Sequence, residues 1–552
     1  MWNEVFTEHK QASPKCGGKL HCDLDSEEQV GLCWKERIVC SKCKYTSKFY
    51  KLYAETRTGT RGPPAASPNC GVQVGLSQTP IGNLNMRKLC LSANLPAPSA
   101  SGMQKKASQI SKIIENENKK DMKKQLQHAK KIHQIAQGTS DSSIPMEGDG
   151  CYNNPLYSAV GKTPYQPATQ VTYVVAEGVT RKRSVVSLCA KSKLCPIGAR
   201  KNHSCPDHDG DCIADLKSSD TVGNEEKWAT ECLEDIAEQG VSVSRFTTDP
   251  DSKAFLGAEK LYREGRVSNR PEHRLDTRHV SDNQRKSINK TEFSANMFPG
   301  RTKEIRKKLQ RRFAIDVSKR CTTEVSMSQS KNAGDFNSVK REMSHTTNAI
   351  ADCYKGDHRL CKKYSYACKG EAGKTWMNRT RYLAKDFKVK CTKGDKDKLA
   401  KCIDVRLSQK VLNLTKENSN SQKAEATNRC LRRSLPRSTT FSRTFKGRAH
   451  SAIHSVNNGP GDSIKMLCSA VGCDIPENTR VSRALDAMQK ANNQRKTYAK
   501  TPKAKKARER KISRFYESYD AVADSRKKGN RTYAKGMLLP NPAGPDHSYI
   551  KK

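Results

Sequence analysis

The chain has 552 residues, with 102 Lys plus Arg against 57 Asp plus Glu and a formal net charge of +45. An excess of this size argues against a housekeeping enzyme of small metabolites and for a polyanionic partner, nucleic acid first, because so many cations repel one another until phosphates neutralise them. Only 34% of residues are hydrophobic and 6% aromatic, so a mosaic of folded and polar segments is expected, with too few aromatic residues to stack single-stranded RNA.

No stretch approaches the run of about 18 apolar residues that spans a membrane, and MWNEVFTEHK has no apolar signal core, so a soluble intracellular protein is expected. In a reducing compartment its 22 cysteines, interleaved with His, read as Zn²⁺ ligands rather than as a disulfide scaffold.

Residues 1–58 form the first expected module, a zinc ribbon. Cys40 and Cys43 have the two-residue spacing with which one tight turn offers two thiolates to a tetrahedral ion. Cys16 and Cys22 are the other candidate pair, with His21 and Cys33 as alternatives. Residues 59–140 read as linker and basic helices: 59–103 is rich in Pro, Gly, Ser and Thr and reads as linker with at most one short helix, and Ile110, Ile113, Ile114, Met122, Leu126 and Ile132 mark a basic helix pair over 105–136. His128 and His133 are five positions apart, which misses the four-residue spacing of a helical metal pair, so both are expected in solvent.

From 141 the texture changes. Strands are predicted around SSIPMEGDGCYNNP and over 170–178, 183–191 and 241–250, with a helix over 224–239. Three strands, a helix and a fourth strand describe the first half of a ribonuclease-H-like α/β domain, here 141–281. Within it Cys195, Cys205, His208 and Cys212 have the spacing C-x9-C-x2-H-x3-C of a zinc knuckle. Residues 282–420 read as a mainly helical insertion carrying a second such set, Cys353, His358, Cys361 and Cys368. A helix over 421–435 returns to the α/β domain, whose last part is 421–480. Residues 481–552 form a basic helical tail with 19 Lys plus Arg and 6 Asp plus Glu. There Lys503, Lys505, Lys506, Arg508, Arg510 and Lys511 are candidate contacts to a DNA backbone or part of a nuclear import signal.

Phosphodiester cleavage by two metal ions needs carboxylates that meet at one point, since Mg²⁺ prefers oxygen ligands. In ribonuclease-H-like folds these come from the first strand, the end of the fourth and a late helix. Asp149, Asp249 and Glu425 stand at those places. Asp251 competes with Asp249, and Asp141 and Glu147 with Asp149; the strand ends favour the chosen residues.

The ordered set of Asp149, TTDPDSKAF with Asp249, Asp276-Thr277-Arg278-His279, a long insertion and Glu425 in AEATNR resembles Mutator-like transposases of eukaryotic DNA transposons. The resemblance spans roughly 141–480, and the N-terminal ribbon is compatible with it. It implies a DDE triad of Asp149, Asp249 and Glu425 holding two Mg²⁺ ions, with Asp276 and His279 as auxiliary residues of a Cys-or-Asp, two residues, His motif. It further implies a nuclear enzyme that cuts double-stranded transposon-end DNA and joins it to target DNA, at least as a dimer when two ends are cut together. The alternative is a domesticated, non-catalytic zinc-containing DNA-binding protein of the same ancestry.

Overall fold

The computed structural model describes residues 1–57, 62–153, 168–195, 212–217, 219–332, 335–371, 373–380, 382–384, 387–437, 439–511 and 514. At the N-terminus the helix Trp2–Ala12 is followed by two small antiparallel sheets. Leu20–Cys22 pairs with Ile38–Cys40, and Glu28–Val30, Cys33–Glu36 and Tyr50–Lys51 form a three-stranded sheet. Val5 and Ile38 are among its few buried aliphatic side chains, too little core to hold so small a unit unaided.

The stretch expected to be linker with at most one short helix contains two, Ser67–Ser77 and Asn83–Ser92. Pro68 falls in the first turn, where a missing N–H costs nothing. Cys70 and Val74, one turn apart, are fully buried against Ile110, Ile114, Leu467 and Val471. Nor is 105–136 a helix pair: Ala100–Gln137 is one helix of 38 residues, capped by Ser99 and ended by Gly138 in the left-handed conformation at φ 62°. Two residues of the polar run, Asn118 and Asp121, are buried and find partners far along the chain. Asn118 lies 3.0 Å from His450 Nδ1, and Asp121 accepts from Asn458 at 3.1 Å. At 1.5 Å per residue this helix is about 57 Å long. Its first half packs on Ser67–Ser77 and its second half on the central sheet.

That sheet has five strands: β1 (Ser143–Tyr152), β2 (Gln170–Glu177), β3 (Val185–Ser192), β4 (Ser242–Thr248) and β5 (Glu272–Leu275), in the order β3-β2-β1-β4-β5. β2 runs antiparallel to both neighbours, while β1, β4 and β5 are mutually parallel. β2 reads QVTYVVAE and is buried along its whole length, as a β-branched central strand should be. The helix Glu225–Glu238 covers one face through Trp228, Cys232, Leu233 and Ile236. The other face carries the long helix together with Gln422–Ser434 and Phe445–Asn458, through Met122, Ala424, Leu431, Phe445 and Ile453. The result is a mixed α/β layer structure. β5 and the helix Ala254–Arg263 were not predicted: four residues reading EHRL carry no alternation.

Between β5 and Gln422–Ser434 the chain builds a helical body from the end of Thr277–Lys290, then Lys303–Lys331, Phe336–Lys355, Arg359–Tyr364, Lys393–Leu407 and Gln409–Leu414. It has its own core around Phe313, Val317, Met343, Ile350 and Ile403. After Pro460–Ala470, the helix Arg480–Lys500 buries only Ser482 and Leu485, and a further helical stretch covers 502–511. Among the described residues no helix is long and apolar enough to cross a membrane.

Candidate active site and metal clusters

Parallel pairing of β1 with β4 sets their C-terminal ends side by side. Asp149 lies near the end of β1, Asp249 directly follows β4, and Asp276 directly follows β5. Gly148 precedes Asp149 because a Cβ there would come within 2.5 Å of Tyr173 Oη and 2.8 Å of Phe246 Cζ. Glu425 enters from the opposite layer, in the first turn of Gln422–Ser434.

One imidazole bridges two of these acids. His279 Nε2 lies 2.7 Å from Glu425 Oε1, and its Nδ1 lies 3.6 Å from Asp249 Oδ2. Asn428, one turn after Glu425, donates to Asp149 Oδ2 at 2.8 Å. Asp276 is fully buried and saturated. Its Oδ1 accepts from the Arg278 and His279 N–H groups at 2.6 and 3.1 Å, and its Oδ2 accepts from the Ser421 N–H and hydroxyl at 2.7 and 2.9 Å. Ser421 Oγ also lies 3.3 Å from Asp249 Oδ1. Asp276 thus caps one helix and clasps the residue before another, joining the two ends of the insertion. Although Asp249, Asp276 and His279 could geometrically share an ion, those four donors leave Asp276 a positioning role.

The competing acids have other work. Glu147 is buried, pairs with Arg183 at 2.6 Å and accepts from the Ala424 N–H at 2.8 Å, so it anchors the start of the returning helix. Asp141 accepts from the Ser143 N–H at 2.9 Å in the turn before β1, and Asp251 lies 3.3 Å from Asn283.

Burial, then the charge of Asp249, pushes the Asp149 carboxyl up to about 7, against the opposing hydrogen bond from Asn428. Burial also raises Asp249, with Asp276 and Glu425 adding and His279 opposing. Burial alone would lower the His279 pKa, but the bond to Glu425 and the charges of Asp249 and Asp276 outweigh it and hold it above its ordinary value. A carboxylate group under this much mutual repulsion suits a divalent cation.

Two Cys/His clusters could each hold a zinc ion. In the first, His9, Cys16, Cys40 and Cys43 offer ligand atoms all within 4.8 Å of one another. Cys22, expected in this set, instead lies beside Glu36, which raises its thiol pKa. His9 takes its place because it sits on the preceding helix, 3.4 Å from Cys43 Sγ. Its signal was the pairing of Val5 and His9 one turn apart on an otherwise exposed helix. Hydrogen bonds from Ser13 first, then from the Tyr45 backbone and His9, lower the Cys43 thiol to about 6, which favours the thiolate a metal requires. Zinc analysis should therefore lose about one equivalent in His9→Ala and none in Cys22→Ser; the reverse pattern would return Cys22 to the ligand set.

The second cluster, Cys353, His358, Cys361 and Cys368, closes the helical insertion with the same 4.8 Å limit. Cys353 Sγ lies 3.8 Å from Cys368 Sγ, which lies 3.6 Å from His358 Nδ1. Bonds from the other two thiols favour ionisation of Cys368. Nearby Arg320 is buried, pairs with Glu324 at 2.9 Å, and interacts electrostatically with Cys353 and Cys368. Its Nε and Nη1 make no hydrogen bond among the described residues, the guanidinium lying 5.0 Å over the Trp376 ring. A buried cation with spare donors fits thiolates better than thiols, which supports a metal here. In the third expected set, Cys195 is buried and Cys212 half-buried, while Cys205 and His208 lie outside the described residues. Lys503, Lys505, Lys506, Arg508, Arg510 and Lys511 are all exposed on the helical stretch 502–511.

A family model described as Mutator-like transposase matches residues 1–368, two thirds of the chain. The matched segment carries Asp149, Asp249, Asp276 and His279, and Glu425 lies beyond it. No curated protein and no solved structure matches.

Proposed function

The chain belongs to the Mutator-like transposase family, and on that premise we propose that it is a DDE-type transposase with a ribonuclease-H-like catalytic domain. It cuts transposon-end DNA and joins the freed 3′-hydroxyl to target DNA. The strand order β3-β2-β1-β4-β5 with only β2 reversed supports the domain assignment. What supports this reading is that His279 bridges Glu425 of the returning helix and Asp249 at the end of β4, while Asp149 on β1 accepts from Asn428 of the same helix and feels the charge of Asp249.

Two Mg²⁺ ions held by Asp149, Asp249 and Glu425 would supply an activated water and stabilise the attacking and leaving oxygens. The chain's own residues prepare the acids. Asn428 fixes Asp149 Oδ2, His279 holds Glu425 in line with Asp249, and Asp276 orients His279 through its backbone N–H. A descendant kept only for DNA binding has no use for partly buried carboxylates that repel one another, which favours the enzyme over the domesticated alternative. The two described Cys/His clusters take structural Zn²⁺, since four protein ligands leave no open position. The same reading makes the protein nuclear and at least dimeric when two ends are cut together.

The full chain should cleave a labelled transposon-end duplex in Mg²⁺ and not in EDTA; absence of any metal-dependent cleavage on the element's own ends would overturn the reading. Binding and chemistry should separate. Deleting 500–530 removes Lys503, Lys505, Lys506, Arg508, Arg510 and Lys511, so affinity should fall uniformly across sequences. The slope of log affinity against log salt should flatten by about 0.9 for each phosphate that the tail no longer neutralises. An unchanged slope would leave the tail no role in DNA binding.

A further inference from the structure

Glu425 is held by more than His279. Arg278 Nη1 lies 3.2 Å and Arg429 Nη2 3.7 Å from Glu425 Oε2. The guanidinium-bearing side chains are 54% and 60% exposed, while Glu425 is only 18% exposed. The arginines therefore form a solvent-facing rim over an acid that lies below them. Arg433 continues the rim. It is exposed one turn beyond Arg429 on Gln422–Ser434 and pairs with no acid among the described residues. Residues 425, 429 and 433 fall on one helix face at steps of about 6 Å along the axis.

Two guanidiniums on one carboxylate exceed what neutralising it requires. Solvent-exposed ion pairs of this kind are worth about 0–1 kcal/mol, so a divalent cation arriving at Glu425 displaces them easily. Released, they stay tethered beside the reacting centre, and the planar guanidinium fork matches phosphate oxygens two at a time. Fixed carboxylates repel a phosphodiester, and cations at their edge offset that repulsion.

We propose that Arg278, Arg429 and Arg433 form a phosphate-binding track for the DNA strand that enters the carboxylate site, with Arg278 and Arg429 exchanging Glu425 for a phosphate when the metal site fills. This rests on the transposase reading for the identity of the strand, but the track itself is a statement about anion binding.

The test measures DNA affinity against salt with the full wild-type chain in Ca²⁺, an oxygen-seeking ion that fills carboxylate sites but is a poor substitute for Mg²⁺ in two-metal cleavage, so that the site is occupied and the duplex stays intact. Arg278→Ala, Arg429→Ala and Arg433→Ala should each take about 0.9 off the slope of log affinity against log salt, and the triple variant should lose close to the sum. Arg429→Lys and Arg433→Lys keep the charge and should keep the slope while losing affinity through the missing fork. An unchanged slope in the triple variant, with its thermal unfolding also unchanged, overturns the track and leaves the arginines as partners of Glu425 only. A misfolded triple variant passes the decision to the single Arg433→Ala, which touches no acid: an unchanged slope there overturns the track. If the wild type fails to cleave in Mg²⁺ but the slopes fall as stated, the transposase reading fails and the track stands.

Discussion

Asp149→Asn should reduce Mg²⁺-dependent strand cleavage by about a thousandfold or more while leaving DNA affinity and its salt dependence nearly unchanged. A metal ligand in such a site governs several kcal/mol of transition-state stabilisation, and each 1.36 kcal/mol is a decade in rate. Asparagine keeps the shape and an acceptor oxygen, so packing against Asn428 and the neighbouring strands has no reason to change. The same substitution should make the metal-free protein more stable. The Asp149 carboxyl is raised to about 7 in the fold against an ordinary value of 3.8, so between about pH 4 and pH 7 the folded state holds a proton that the unfolded state has lost. Wild-type stability in EDTA therefore falls as pH rises through that window, and Asp149→Asn should flatten the fall. Cleavage within tenfold of wild type would remove Asp149 from the site, and a loss of cleavage accompanied by a lower melting temperature would mean that the variant had damaged the fold.

The second large effect is expected in the insertion. Cys361→Ser and Cys368→Ser should each remove about one zinc equivalent and leave residues 303–407 open to proteolysis. Structural zinc binding is worth about 10–16 kcal/mol in small modules, comparable to or larger than the whole stability of a typical domain. Loss of the ion also leaves the Arg320 charge buried beside neutral thiols instead of thiolates. Zinc content measured alongside limited proteolysis separates this from an ordinary core lesion. Full zinc occupancy in Cys361→Ser would take that residue out of the ligand set.

Local chemistry made several elements legible. β2 announces itself by β-branched residues, and the helix Glu225–Glu238 by Asn224, whose side chain accepts from Lys227 N at 3.2 Å, and by its apolar period. What depends on distant partners was not legible. The long helix looked broken because its buried polar residues are satisfied by His450 and Asn458, more than three hundred positions away. His9 was missed because no spacing rule links a helix residue to cysteines seven and more positions on. The positions of Asp149, Asp249 and Glu425 could be proposed from strand and helix ends, but Asn428 and Ser421, which orient them, belong to pairings made only when the insertion closes. Asp276 was visible as part of a motif, yet its saturation by four donors is a tertiary fact.

That clasp bears on incomplete copies of the chain. Synthesis delivers Asp149, Asp249, Asp276 and His279 long before Ser421 and Glu425. A polypeptide that stops within the insertion carries the N-terminal module and all five strands of the sheet but lacks the hydroxyl that closes on Asp276 and the acid that His279 holds. Such a fragment has no cutting edge, and if its N-terminal module binds DNA it occupies the same ends as the full-length protein. On that condition copies cut short by early termination would compete with the intact chain for DNA, and an excess of them should hold it back in proportion to their number.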